Sequence, residues 1–587
     1  MKKYILKTMA LAMAAIVIVL PACNDNSDHD HIFNQKNTAE QYLKTATTCT
    51  APAFYYYSCE CGEKGEQTFF VGREHGHSFT AEIASDEYAI EKGDCIHAGT
   101  YYKSCIYCGE KGYDFNTFQT VVSDGHDFSK ENPQGKYLYS EATQDASAVY
   151  YKSCICGKVG TETFVYGDAL REYTEEEKIP YTPTSLTVTL YDTEKGVYGF
   201  TYNTQNRPLR PVLQVAEGDS FSDKYKEYDA TVEEVSSYQT NGKGFTYYVV
   251  KTEVPMQGGK TYTYRAYDKY VDVGTSEVTI QTKDLTSTAF SFAHVSDSQM
   301  SDATGDTFGR LLSNVVEKND FVLHTGDVVE QSKYESEWTN MLHGNFSYLS
   351  TIPMMAISGN HETTYLNGSN ETYKHFHNKI PKQVSTNLGY FYSFVYGNAK
   401  FIMLNTNDLT GRNQLRSEQY NWLVEELENN TSTWTFVSMH NPMYSVGKWG
   451  SNPDQNTIAL AVREQLSEVF ATYGVDVVLQ GHDHTISRTY PINAQGVATK
   501  ETFATVDGVE YSVDPSGVIY VVNGPAGSQT REPHQAYDKS AYAYAKTSQP
   551  CSWADFSIDG NTLTVTVQYA GTSGIVQYEK WGIQKTA

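Results

Sequence analysis

Five short polar clusters in the C-terminal half of the chain carry side chains suited to divalent cations. They are Asp297-Ser298-Gln299, Gly326-Asp327, Gly359-Asn360-His361-Glu362, Met439-His440 and Gly481-His482-Asp483-His484. Carboxylate, amide oxygen and imidazole suit divalent Mn, Fe or Zn, and no thiolate belongs to the set. Two such ions held close together can lower the pKa of a water and clamp phosphoryl oxygens during in-line displacement. Any one of these clusters is commonplace; all five in this order predict a two-metal hydrolase site.

The elements that must position them are also legible. Ala289-Phe290-Ser291-Phe292-Ala293, Phe321-Val322-Leu323 and Pro353-Met354-Met355-Ala356-Ile357 precede the first three clusters, and Trp434-Thr435-Phe436-Val437 and Val475-Asp476-Val477-Val478-Leu479 precede the last two. Such apolar runs read as buried strands, and open α/β sheets place their sites on loops at the carboxyl ends of strands. Helices are expected over Asp306–Glu317, Ser417–Glu428 and Asn456–Tyr473, with a β-hairpin around Gly397-Asn398. Late strands are expected at Gly517–Val522 and Thr562–Val567; in the two-sheet sandwich implied by the family resemblance given next, they would extend the second sheet.

The order and content of the clusters resemble the calcineurin-like metallophosphoesterase superfamily, whose signature runs DxH, GDxx, GNH(D/E), a lone His and GHxH. The resemblance spans roughly residues 287 to 490. It implies one metal held by Asp297, Gln299, Asp327 and His484, and a second held by Asp327, Asn360, His440 and His482, with Asp327 bridging. It also implies His361 as the residue that contacts phosphate and protonates the leaving oxygen, with Asp327 counted beside it as catalytic. The implied reaction is hydrolysis of phosphomonoesters by a metal-bridging hydroxide; a phosphodiesterase on the same dinuclear site and a non-catalytic surface-binding protein stand as alternatives. Two positions depart from the pattern. Gln299 stands where most members have His, which weakens the first site or favours a harder ion. Glu330 stands where purple acid phosphatases carry the Tyr on which their colour depends, so the resemblance implies a colourless relative. His294 and His324 match no ligand position and are expected to support the site from the core. His375, His377 and His534 are expected in loops or at the surface, one of them within reach of the substrate cleft.

Lys2, Lys3 and Lys7 precede an apolar stretch from Met9 to Leu20, followed by Leu20-Pro21-Ala22-Cys23. That is the layout of a secretory signal. A Cys after the small residue resembles the lipobox of bacterial lipoproteins, which implies a lipid-modified Cys23 and an extracytoplasmic protein, either anchored to the cell membrane or secreted. The formal charge is −25, an acidic balance that disfavours nucleic acid as a partner. The expected partners are a small phosphoester substrate, the membrane through the anchor, and the cell envelope through the repeats described next.

Residues 46 to 170 contain an internal repeat. Its cores are Phe54-Tyr55-Tyr56-Tyr57-Ser58-Cys59-Glu60-Cys61-Gly62, Thr100-Tyr101-Tyr102-Lys103-Ser104-Cys105-Ile106-Tyr107-Cys108-Gly109 and Val149-Tyr150-Tyr151-Lys152-Ser153-Cys154-Ile155-Cys156-Gly157. The first two copies add an earlier Cys (Cys49, Cys95) and a later His (His77, His126). Three Cys and one His per copy make a tetrahedral zinc complement, so structural zinc is expected on Cys49, Cys59, Cys61 and His77, and again on Cys95, Cys105, Cys108 and His126. Disulfides are the competing reading for an exported chain. Cys551 is expected to be a buried, inert thiol.

Residues about 176 to 284 alternate like the strands of a β-sandwich, for instance Ser185-Leu186-Thr187-Val188-Thr189-Leu190. The stretch from Gly258 to Thr282 resembles the end of a fibronectin-III-like domain, which purple acid phosphatases carry just before their metal domain. The expected organisation is therefore multidomain: signal peptide 1–22, tether 23–45, Cys/Tyr-rich modules 46–172, a fibronectin-III-like domain 173–284, and an α/β metallophosphoesterase domain 285–587 in which two packed sheets are flanked by helices.

Overall fold

The computed structural model describes residues 31–587, apart from 73, 75, 92–97, 113–115, 120–125, 144–145, 155, 170, 222–223, 302–306, 364–370, 382–383, 385–389, 500–501 and 587. The signal segment, Cys23 and Cys95 therefore lie outside the described residues, as does most of the loop from Thr363 to Lys374. Among the described residues no helix is long and apolar enough to cross a membrane. The chain forms two compact units, Met1–Asp127 and Phe128–Ala587.

The first unit holds two copies of the repeat. In the first copy, strands Leu43–Thr45, Ala53–Ser58 and Lys64–Val71 form an antiparallel sheet; in the second, Ala89–Glu91, Thr100–Tyr102 and Thr117–Gln119 do the same. A tyrosine clamps each core turn: Tyr42 Oη donates to the Gly62 carbonyl (2.8 Å) and Tyr88 Oη to that of Gly109 (2.7 Å). Both glycines have left-handed φ, which lets the turn close without a Cβ penalty. Within the second unit the third copy repeats the sheet with Leu138–Ser140, Ala148–Ser153 and Val159–Tyr166, and Tyr137 Oη donates to the Gly157 carbonyl (3.1 Å). Each tyrosine stands 17 residues before the first core Cys.

The sandwich that follows pairs one sheet, Thr184–Asp192, Val197–Thr204, Gly244–Pro255 and Thr231–Tyr238, with another built on Pro211–Glu217 and Thr261–Asp268. Strand Thr184–Asp192 does not alternate in burial as expected, because residues 185 to 190 are all buried. Its outer face packs on the next domain rather than on water: Thr187 Oγ1 donates to the His375 carbonyl (2.9 Å), and Asn203 on the neighbouring strand donates to Glu335 (2.9 Å). His375 and His377 are thus buried, not surface residues, with His375 stacked on Trp338 at 4.1 Å between ring centres.

Lys251 crosses the same junction and donates to the Tyr373 carbonyl (2.7 Å). Burial pushes its ammonium down to about 8 from 10.5, against a weaker upward pull from Glu233. The unfolded chain therefore holds the extra proton between those values, and stability rises with pH across that window. Lys251→Met is expected to stabilise the fold by about 1–3 kcal/mol at neutral pH and to erase the slope, as read from urea midpoints on either side of the window.

The last domain sets two sheets face to face. One runs Met354–Ala356, Phe321–His324, Ala289–Val295, Ser552–Asp559, Thr562–Gly571, Gly574–Gln584, Val509–Val513 and Phe503–Val506; the other runs Tyr392–Tyr396, Ala399–Met403, Trp434–Met439, Val477–Gln480, Ile519–Asn523, Thr485–Thr489 and Tyr542–Thr547. The Thr562–Gly571 strand thus joins the first sheet, not the second as expected, because its antiparallel partner Ser552–Asp559 lies beside Ala289–Val295. Phe292, Phe321, Phe401, Phe436 and Phe556 fill the space between the sheets, with Phe292 stacked on Phe556 at 4.7 Å. Helix Thr307–Val315 buries Phe308, Leu311, Leu312 and Val315, the spacing of one helical face, against the first sheet. Helices Ser417–Glu428 and Thr457–Thr472 cover the second sheet.

Candidate metal centre

Five strands that run parallel to a neighbour deliver the five clusters. Ala289–Val295, Phe321–His324 and Met354–Ala356 of the first sheet, and Trp434–Met439 and Val477–Gln480 of the second, end within a few residues of Asp297, Asp327, Asn360, His440 and His482. Four of these site residues sit in left-handed backbone: Asp297 (φ 52°), Gln299 (41°), Asp327 (54°) and His482 (66°). That conformation costs a non-glycine residue about 1 kcal/mol. Backbone bonds between the first two loops offset it: Asp297 N–H to the Gly326 carbonyl (3.0 Å), Gln299 N–H to Asp327 (2.9 Å) and Met300 N–H to Val328 (3.1 Å). Gly359 is required by close approach, since a Cβ there would strike the Asp327 carboxylate.

The donor atoms converge. His484 Nε2 lies 3.2 Å from Asp297 Oδ1, His440 Nε2 lies 3.3 Å from Asp327 Oδ1 and 3.0 Å from Asn360 Oδ1, and Gln299 Nε2 lies 3.4 Å from Asp327 Oδ2. Ligand atoms of Asp327, His440 and His482 all fall within 4.8 Å of one another. Asp297 and Asp327 are each 1 % exposed. All seven sequence-expected ligands are therefore brought to one place, as is His361, whose backbone N–H donates to Asp327 Oδ1 (2.9 Å) and whose Nε2 meets Gln299 Nε2 at 2.9 Å.

The histidine tautomers follow from their partners. His440 Nδ1–H donates to the Thr325 carbonyl (2.8 Å), His484 Nδ1–H to Gln529 (2.8 Å) and His361 Nδ1–H to Glu330 (2.6 Å). A carbonyl can only accept, so each ring turns its Nε2 to the centre, the arrangement that metal-ligating histidines use. Asp297 and Asp327 are held below the usual carboxylate range by His484 and His440 respectively, against burial, which works in the other direction. His440 is pushed up to about 9: burial opposes its charge, but Asp327 and Asp297 outweigh burial. Two buried carboxylates thus recruit positive charge to this point, and divalent cations would supply it while leaving His440 neutral. Donor types, tautomers and charge all fit two such ions.

Glu362 and Asp483, which the sequence did not single out, hold the centre in place together with His294 and His324, which support it from the core as expected. Glu362, fully buried, accepts from the backbone N–H of Gly359 (2.7 Å), Asp327 (2.9 Å), Val328 (2.9 Å) and Val329 (3.3 Å), and so ties the second and third loops together. Burial first, and Asp327 second, push its carboxyl up to about 7. Asp483 accepts from Trp449 N–H (3.1 Å) and Gly450 N–H (2.9 Å), which sets Trp449 against His482 at 5.0 Å between rings. His324 accepts at Nδ1 from Gly326 N–H (3.2 Å) and donates from Nε2 to Ser298 (2.9 Å), whose own hydroxyl is spent on the Val328 carbonyl. His294 accepts at Nδ1 from Asn523 (2.7 Å) and donates to Thr325 (3.0 Å). Burial pushes both rings down to about 3, so both are neutral struts. Glu330 stands behind His361, its carbonyl bonded to Nδ1 and its carboxylate 3.8 Å from the same atom.

Beside the GHDH loop lies a cavity of about 420 Å³ lined by Lys448, Arg531, Glu532, Pro533, His534 and Gln535. Arg531 N–H donates to the His484 carbonyl (3.1 Å), which places this recess next to the loop that carries His482 and His484.

Residues 290–485 match the calcineurin-like phosphoesterase family model. Purple acid phosphatase 15 of Arabidopsis thaliana is 26% identical over a stretch covering 34% of this chain and 34% of the relative. An acid phosphatase of Aspergillus ficuum is 26% identical, covering 33% and 43%. The chain thus spans between a third and a half of the length of these relatives. In fold it is similar to purple acid phosphatase PPD1 from yellow lupin (Lupinus luteus) seeds, with a TM-score of 0.58 and 18% identity over 69% of this chain and 74% of that one. These likenesses support a hydrolase acting on phosphoester bonds. Residues 290–485 thus match the calcineurin-like phosphoesterase family model, are similar in sequence to purple acid phosphatases, and lie in a chain whose fold is similar to one of them.

Proposed function

We propose that this protein is an extracytoplasmic, metal-dependent phosphomonoesterase, lipid-anchored through Cys23 after removal of residues 1–22. The observation that carries the catalytic reading is the convergence of seven oxygen and nitrogen donors from five loops onto one buried point. Asp297, Gln299, Asp327 and His484 would hold one ion; Asp327, Asn360, His440 and His482 would hold the other. Bound there, two divalent ions lower the pKa of a water towards neutrality and offset charge on the phosphoryl oxygens.

The chain's own residues supply the rest. His361 is steadied at Nδ1 by the Glu330 carbonyl, and its half-buried Nε2 holds the proton that the leaving oxygen takes up. Asp327 and Glu330 raise its proton affinity, against burial, the largest single influence, which lowers it. Lys448 and Arg531 set two cations against the one carboxylate of Glu532 in the adjoining recess, a balance that suits the dianionic head of a monoester better than the single charge of a diester. Arg531→Ala is expected to raise KM about tenfold with little change in kcat, the mark of lost ground-state binding.

Turnover of p-nitrophenyl phosphate against bis-p-nitrophenyl phosphate by the metal-loaded protein tests the substrate class. Monoester preference supports the proposal, diester preference replaces it with a phosphodiesterase, and silence on both overturns the catalytic reading. Fractionation of cells expressing Cys23→Ala tests the anchor: release from the membrane supports it, and unchanged retention overturns it.

A further inference from the structure

The repeats are framed differently from the copy-by-copy expectation. His31, His77 and His126 each stand 28 residues before a first core Cys, namely Cys59, Cys105 and Cys154. Each is also followed two residues later by Phe33, Phe79 or Phe128, and in the first two cases the imidazole stacks on that ring, at 5.7 Å and 5.4 Å. The His that seemed to end a copy therefore opens the next one.

The consequence is a cluster that crosses the copies. Cys49 of the first copy, His77 at the junction, and Cys105 and Cys108 of the second bring their ligand atoms within 4.8 Å of one another. Cys49 Sγ lies 3.6 Å from Cys105 Sγ, and Cys108 Sγ lies 3.5 Å from His77 Nδ1. A tetrahedron with Zn–S of about 2.3 Å and Zn–N of about 2.0 Å has sulfur–sulfur edges of about 3.8 Å and sulfur–nitrogen edges of about 3.5 Å. The observed separations fit those edges and are far too long for a disulfide bond.

The surroundings point the same way. His77 Nε2 meets Glu110 Oε2 at 3.3 Å, which leaves Nδ1 as the ligand atom and gives the ring the carboxylate partner common behind metal-bound histidine. Ser78 N–H donates to Cys105 Sγ (3.4 Å), a bond that favours thiolate. Cys49 and Cys105 are buried at 5 % and 2 % exposure, while Cys108 and His77 close the outer side. Cys59 and Cys61, expected beside Cys49 and His77, are instead joined to each other as a disulfide, with His31 Nδ1 3.3 Å from Cys61 Sγ. For the second expected set, Cys95 lies outside the described residues, and Cys105 and Cys108 belong to the crossing cluster.

We propose that Cys49, His77, Cys105 and Cys108 bind one zinc ion that fastens the first repeat to the second. Each repeat is a three-stranded sheet with a handful of buried side chains, too little core to stand alone, and small domains of that kind depend on metals or disulfides. The ion closes a 56-residue span from Cys49 to Cys105 and turns two weak modules into one rigid piece.

The test uses the full-length chain. Thiol alkylation is mapped residue by residue before and after chelation, with zinc content measured in parallel. Cys49, Cys105 and Cys108 are expected to be protected together and to react at least about tenfold faster once zinc is removed. Cys49→Ser is expected to expose Cys105 and Cys108, to lower zinc by one ion per chain, and to leave the state of Cys59 and Cys61 unchanged. A Cys49–Cys105 disulfide in the unreduced digest would overturn the proposal, as would alkylation of Cys105 and Cys108 that ignores chelation. If Cys49→Ser does not fold, the chelation experiment on the unaltered chain still decides.

Discussion

Asp327→Asn is expected to lower kcat/KM by about three orders of magnitude or more while the folded protein survives. Asp327 is the residue on which the centre turns: its carboxylate faces His440, Gln299 and the backbone N–H of His361, and it is the one position assigned to both metals. Asparagine has the same shape and can still accept from His361 N–H, so the loop keeps its anchor. What it loses is the negative charge that would draw two cations to this point. The measurement is kcat/KM together with bound metal and a melting curve. Loss of activity and metal at a near-unchanged Tm is the expected result; retained activity would mean that Asp327 is not a ligand.

Glu362→Ala is expected to damage both fold and site, lowering stability by about 3–5 kcal/mol and metal affinity by about 10–100-fold. The carboxylate is the acceptor for four buried N–H groups from two loops, three of them belonging to consecutive residues 327 to 329. Alanine leaves all four without an acceptor, and the left-handed Asp327 then loses the bonds that hold it. Glu362→Gln keeps one carbonyl oxygen but turns an NH2 group towards N–H donors, so it should fall between the wild type and Ala. Denaturant midpoints and metal titrations on the two variants separate this from a direct catalytic role, which would move kcat with stability intact.

The site was legible because its ligands follow strands whose apolar runs are unmistakable, and because order alone links five separate loops. The two-sheet domain was implied by the family resemblance that those loops carry, and helix Ser417–Glu428 matches its expected span. Three things were not legible. Glu362 and Asp483 sit inside the signature, yet their partners are backbone N–H groups, which leave no trace in side-chain chemistry. The burial of His375 and of both faces of Thr184–Asp192 depends on one domain packing on another, which alternation within a single strand cannot report. The late strands form hairpins whose turn chemistry was readable, but the sheet they join is decided by a non-local neighbour, Ala289–Val295. The repeat frame was visible in the constant 28-residue spacing, which grouping by cysteine alone obscured.

The most direct test of the account strips the full-length protein of metal and follows p-nitrophenyl phosphate hydrolysis as Mn2+ is titrated back, an ion that oxygen and imidazole donors accept and thiolate sites disfavour. Turnover is predicted to vanish on stripping and to return as two Mn2+ ions bind, with Asp327→Asn silent throughout. Turnover that is indifferent to stripping, or absent at full Mn2+ loading, would contradict the two-metal phosphoesterase assignment.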